Sequence, residues 1–144
     1  MVATGTIKGI TLKILAAKRW KIIRINLLNN QHRLKNLNYK IHQLADLILN
    51  IEAEMRTIAL WETTHPATDS LKSLAPFCHD KLYFHQWLQW VFLPKMRTVI
   101  ETETDMPATS DIFPLAEYSF QKMEHSTQQL LQLIKQFDRL ISRH

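Results

Sequence analysis

The chain has 144 residues, with eighteen Lys and Arg against thirteen Asp and Glu and a formal charge of +5. That length supports one hydrophobic core and is short for two domains of ordinary size. Apolar residues make up 46% of the chain, well above a disordered composition, and Cys78 is the only cysteine, which excludes an intrachain disulfide and points to a reducing cytoplasm. No run reaches the roughly eighteen uncharged apolar residues of a spanning helix. Lys13, Lys18, Arg19, Lys21 and Arg24 interrupt the early candidate for a membrane span, and Lys13 also breaks the apolar stretch a secretory signal would need.

The charge is unevenly placed. Residues 1–40 hold nine Lys and Arg and no acid, while residues 41–144 hold nine against thirteen acids, so the two parts carry +9 and −4. Residues 1–36 therefore read as a basic N-terminal extension, first of all a disordered segment or a mis-assigned start, because Ile22 to Asn30 shows no clear cap or breaker. In a second reading Lys13, Lys18, Arg19, Lys21, Arg24, Arg33 and Lys35 form a polybasic arm for RNA or anionic lipid. A third, an organellar presequence, fits poorly, because the segment has few arginines and no serine.

The two glycines, Gly5 and Gly9, both lie in that extension, so the following 135 residues offer no glycine turn or phosphate loop. Strand-rich folds lean on such turns, and an all-α fold is expected instead. From Leu37 the positions Ile41, Leu44, Ile48, Ile51, Met55 and Ile58 step by threes and fours along one face of a first helix. Glu52 and Arg56 stand four apart on its polar side. Trp61 to Asp80, with Pro66 and Pro76, is a connector pinned by Leu71, Leu74 and Phe77. Asp80 suits the N-cap of a second helix that runs to about Glu101 and is apolar around most of its circumference, which places it centrally. Pro94 inside it removes an amide and crowds the carbonyl of Trp90, predicting a kink. Pro114 opens a short helix ending near Phe120. Ser126 with Gln129 reads as a capping box, followed by the inner stripe Leu130, Leu133, Ile134, Phe137, Leu140 and Ile141. The expectation is a small three- to four-helix bundle over residues 37–144.

The densest segment runs from Phe84 to Met96. Its tryptophans, Trp87 and Trp90, read first as core aromatics with partnered indole N–H groups. In the functional reading, Phe84, Gln86, Trp87, Gln89, Trp90 and Pro94 are a candidate interaction surface for a peptide or a stacked base. Cys78, His79 and His85, with His65, raise a metal site, but adjacent Cys-His is poor ligand spacing and ordinary residues are the better reading. Ser119 and Cys78 lack sequence context for a base or an oxyanion donor, and Glu101 with Glu103 sits at a helix end. No catalytic residue, metal ligand or cofactor is assigned.

Asp80 to Met96, with its Gln86-Trp87-Leu88-Gln89-Trp90 core and following Pro94-Lys95-Met96, resembles the signature of the YqcC-like domain family. Pro76-Phe77 and Phe113 to Tyr118 also resemble that family's blocks, and the similarity covers about Leu44 to Ile141. The resemblance implies a small bacterial helical bundle without established activity, some members bearing a label borrowed from a tRNA pseudouridine synthase encoded nearby. Such synthases present a catalytic aspartate on a much larger α/β scaffold, which this chain does not resemble; it departs from the family by its basic extension. The function expected is a non-enzymatic module that binds a protein partner or itself as a homo-oligomer. The alternative is an accessory RNA-binding protein linked to pseudouridylation, acting through the basic extension.

Overall fold

The computed structural model describes residues 2–103, 106–124 and 126–143, with side chains from residue 13 onward. Its elements are α1 (Val2–Thr57), α2 (Thr68–Leu71), a 3-10 turn (Pro76–Cys78), α3 (Phe84–Trp87), a π turn (Leu88–Phe92), α4 (Leu93–Thr102), α5 (Phe113–Phe120) and α6 (Gln128–Ser142). The all-α class follows as expected from a chain with no glycine after position 9. Two compact units divide it, Met1–Tyr39 and Lys40–His144. The first helix was expected from Leu37 and instead begins at Val2. Between residues 10 and 57 there is neither glycine nor proline, so no residue there interrupts the i to i−4 ladder.

The core lies in the second unit. Leu44, Ile48, Ile51 and Met55 on α1 are buried, as their three-and-four spacing requires, and Leu47 beside them is buried as well. Leu88, Phe92, Leu93, Met96 and Val99 meet them from the central segment, and Leu130, Leu133, Ile134, Phe137 and Ile141 from α6. Phe92 stands edge-on to Phe137 at 4.9 Å, and Phe84 edge-on to Phe120 at 5.4 Å. Each such side chain contributes roughly 1.5–3 kcal/mol on full burial. Ile58 and Leu140, expected inside, are only half-buried, Ile58 at the end of its stripe and Leu140 beside the buried Ile141.

Polar ties close the bundle. Glu52 accepts from Arg56 at 2.9 Å, the expected i, i+4 pair, and also from Arg97. Lys40 donates from Nζ to the carbonyls of Ile141 and Arg143, both at 3.2 Å, placing a cation on the free carbonyl end of α6.

Two terminal signals resolve differently from the expectation. Asp80 is not an N-cap: α3 begins at Phe84, and the side-chain oxygen of Gln86 accepts the Tyr83 amide at 2.9 Å. Asp80 accepts instead from the Ser73 hydroxyl at 2.5 Å, and this bond lowers its carboxyl pKa below the ordinary value. A carboxyl depressed on folding adds stability above its unfolded pKa and loses it as pH falls through the folded value. Ser73→Ala should therefore move the Asp80 titration upward towards the ordinary carboxylate range, as read by carboxyl carbon NMR, and an unmoved titration would show that the hydroxyl does not set it.

The expected capping box does not form. The residue preceding α6 is Thr127, whose side chain makes no capping bond, and Ser126 falls one position too early. The kink expected at Pro94 takes the form of a widened turn, in which the Leu93 amide reaches back five residues to the Leu88 carbonyl. Pro94, in the first turn of α4, has no amide for an α-helical bond to Trp90, and one extra residue in the preceding turn accommodates that loss.

Candidate functional site

The segment Phe84 to Trp90 turns its polar groups towards the connector that follows α1. That helix ends on Ala59 in the left-handed region (φ 59), with the Leu60 amide bonded to the Met55 carbonyl at 2.8 Å. This is the reversal a helix end makes on glycine, adopted here by alanine. The chain then runs past Gln89, which is buried and whose side-chain amide brackets the backbone of Glu62. Oε1 accepts the Glu62 amide at 2.8 Å, and Nε2 donates to the Glu62 carbonyl at 2.7 Å. The Glu62 carboxylate in turn faces His85 Nε2 at 2.9 Å and accepts from Gln86 Nε2 at 3.1 Å. The His65 ring lies against Trp90 at 4.5 Å, and Arg56 over Trp61 at 4.3 Å. Among the described residues His85 Nδ1 and Trp90 Nε1 are buried without a hydrogen-bond partner, so the partner expected for the Trp90 indole is not found there.

On the other side of α3 an apolar groove of about 410 Å³ opens between the Pro76–Cys78 turn, α3 and α5. Phe77, Leu82, Phe84, Leu115, Phe120 and Met123 line it, along with Ser119, His79 and His85. Tyr83 and Tyr118 stand at its edge, 75% and 73% exposed. Phe77 and Cys78 both take positive φ (56 and 52), a conformation costing roughly 1–2 kcal/mol for a residue bearing a Cβ. Phe77 packs edge-on against Trp87 at 4.8 Å, and Trp87 tilts against Phe84 at 5.7 Å and Phe92 at 5.4 Å. The groove wall is thereby continuous with the core, so the strained turn is held by aromatic packing.

The six residues of the expected surface do not gather in one place. Phe84 lines the groove and Trp87 backs its Phe77 wall, whereas Gln86 and Gln89 hold Glu62. Trp90 is half-buried against His65, and Pro94 is exposed on α4. Cys78 is buried, His79 Nδ1 lies 2.9 Å from the Pro76 carbonyl, and His85 is engaged by Glu62. Among the described residues no group of three or more His, Cys, Asp or Glu side chains is placed to hold a metal ion. Leu115 and Tyr118, which fall in the Phe113 to Tyr118 block, complete the groove with Met123, and nothing in the sequence marks the three as a site, since apolar residues on a short helix and a loop carry no binding motif. Lys13, Lys18, Arg19, Lys21, Arg24, Arg33 and Lys35 are all exposed on α1 within the first unit.

Comparison with known proteins places the bundle. A family model described as tRNA pseudouridine synthase C matches residues 43–140. An uncharacterized protein of Haemophilus influenzae is 31% identical over 84 residues, 58% of this chain and 79% of that one. Protein YqcC of Escherichia coli is 28% identical over 67 residues, 46% of this chain and 62% of its own. A protein of Pectobacterium carotovorum named tRNA pseudouridine synthase C is 32% identical over 66 residues, which are 46% of this chain and 18% of that longer one. The solution NMR structure of Escherichia coli YqcC shares the fold, with a TM-score of 0.62 at 23% identity over 72% of this chain and 89% of that one. With residues 43–140 of 144 inside the family model, the chain belongs to the YqcC-like family, whose model carries the description tRNA pseudouridine synthase C.

Proposed function

We propose that the unit from Lys40 onward is a non-enzymatic interaction module that docks on a tRNA pseudouridine synthase through the groove between the Pro76–Cys78 turn, α3 and α5. The observation that carries this reading is the groove itself. It is apolar, open to solvent, bordered by two exposed tyrosines and walled by a strained turn. Such a surface suits an aliphatic or aromatic anchor from a partner. His85 Nε2 and the side-chain amides of Gln86 and Gln89 in the neighbouring segment are held by Glu62, which supports a binding role over a catalytic one. The choice of partner rests on the Pectobacterium relative, in which a segment like this one occupies 18% of a chain bearing the synthase name. A module carried within one chain in one organism commonly meets the same partner as a separate chain in another.

The test is calorimetric titration of the full chain with the tRNA pseudouridine synthase of its own organism. Binding near the micromolar range, about −8 kcal/mol, is expected. Tyr118→Glu should weaken it by about tenfold or more while leaving the thermal midpoint unchanged, because Tyr118 is exposed. No heat at high concentration, or binding indifferent to Tyr118→Glu, would sink the reading. Self-association of the chain that Tyr118→Glu disrupts would make a second copy the occupant instead.

A further inference from the structure

The first unit carries a second surface, independent of the groove and outside the residues that define the family. Lys13, Lys18, Arg19, Lys21, Arg24, Arg33 and Lys35 are exposed on one continuous helix, and none forms an ion pair within the described chain. No acidic residue occurs among the first forty, so nothing in this segment neutralises them. Large apolar side chains stand between them, Trp20 at 70% exposure and Leu27 at 59% among them.

The angular distribution of these residues selects the partner. At 3.6 residues per turn, Ile14, Ile22 and Ile25 share one side of the helix with Lys18. Trp20, Leu27 and Leu34 share the opposite side with Lys13 and Arg24. A helix lying in a flat bilayer surface needs its apolar residues on one face and its cations on the other, and here whichever face entered would carry a charge with it. Pairing with a second copy of the same helix would set two acid-free basic segments side by side. A partner that presents anions on two sides of the helix at once matches the distribution, and the groove of a nucleic-acid double helix does this. Its two phosphate walls flank a space about 12 Å wide in DNA, and an α-helix with its side chains is about 10–12 Å across.

We propose that residues 13–39 of α1 form a nucleic-acid-binding arm that seats in a duplex groove, with its lysines and arginines on the phosphodiesters of both walls. The contacts to phosphate fix position and affinity and carry no sequence preference of their own. The shared chemistry is the phosphodiester backbone, and the source, RNA or DNA, is read from the same experiment.

The experiment measures fluorescence anisotropy of labelled RNA and DNA duplexes of one sequence, about 20 base pairs long, the spacing of two helical turns, titrated with the full chain. Sedimentation with phosphatidylserine-containing vesicles runs in parallel. Binding to either duplex is expected, and the tighter one names the source. With about four phosphates neutralised, affinity should fall roughly 100-fold between about 50 and 200 mM salt. Joint replacement Lys18→Glu, Arg19→Glu, Lys21→Glu and Arg24→Glu should reduce affinity at low salt by about tenfold or more. Lys95→Glu with Lys122→Glu, exposed in the second unit, should leave it unchanged. If circular dichroism shows that the quadruple glutamate variant has lost helix, the corresponding glutamines replace them and should weaken binding in the same direction. Affinity flat with salt, undiminished in the arm variants, or shown for vesicles and neither duplex would overturn the proposal.

Discussion

Gln89→Leu should lower the stability of the second unit by about 2–4 kcal/mol, a fall of roughly 10–20 °C in Tm for a unit of this size. Leucine preserves most of the volume of the side chain, so the packing around it changes little and the effect isolates the amide. In the native chain that amide makes two bonds at once, 2.8 Å to the Glu62 N–H and 2.7 Å to the Glu62 carbonyl, from a side chain that is 3% exposed. Its removal leaves one backbone donor and one backbone acceptor facing an alkyl group, each costing roughly 1–3 kcal/mol when water cannot reach it. Gln89→Glu keeps an acceptor for the Glu62 amide but sets an anion against the Glu62 carbonyl, so it should be no better than leucine at neutral pH. Thermal denaturation followed by circular dichroism decides the matter. A shift under about 0.5 kcal/mol, the size of an ordinary surface change, would mean that the connector holds its course without the clip.

The clip from Gln89 to the Glu62 backbone also explains why the Phe84 to Trp90 segment has such an unusual composition. The connector after α1 contains no glycine and ends a helix on Ala59 at positive φ, so its path is not favoured locally. Gln86, Gln89 and His85 on the central segment supply the tertiary contacts that fix it, through one residue, Glu62. The two tryptophans complete the arrangement from either side, Trp90 against His65 and Trp87 between Phe77 and Phe92. A motif that looks like a recognition surface in one dimension thus divides into a clip for the connector and a backing for the groove.

The legible part of the fold was the part governed by periodicity. The stripes from Ile41 to Met55 and from Leu130 to Ile141 could be read because burial on a helix repeats every three or four residues, whatever lies opposite. Proline was informative in the same local way, marking the first turn of α5 and the disturbance ahead of α4. The capping signals misled because they depend on register to one residue. Asp80 and Ser126 have the right side chains at positions where the chain has not yet entered a helix. The groove was illegible for another reason. Phe84 alone of its lining was expected on an interaction surface, and Leu115, Tyr118 and Met123 join it only when α5 packs against α3. Nor could Glu62 be recognised, since its importance lies in its backbone and in partners more than twenty residues away.

Asp138→Ala should destabilise the second unit by about 2–4 kcal/mol, and it does so at a helix other than its own. Asp138 lies on α6, yet its carboxylate accepts the Phe113 amide at 2.7 Å, the Ile112 amide at 3.0 Å and the Ser110 hydroxyl at 2.6 Å. These are the first amides of α5, which has no local side-chain cap, so a carboxylate from a neighbouring helix does the work of an N-cap. The negative charge is also favourably placed against the positive end of that helix. Alanine would leave two amides and a hydroxyl without their acceptor in a half-buried setting. Asp138→Asn keeps one accepting oxygen, loses the charge and should fall between alanine and the native residue. Because α5 forms one wall of the groove through Leu115 and Tyr118, the alanine variant should weaken any ligand held there as well as lower the Tm. Tyr118→Glu, by contrast, should affect binding alone. If Asp138→Ala lowers stability but leaves groove binding intact at a temperature where the variant is fully folded, then the position of α5 is set by its apolar contacts to α3 and α6, and the carboxylate only satisfies its amides.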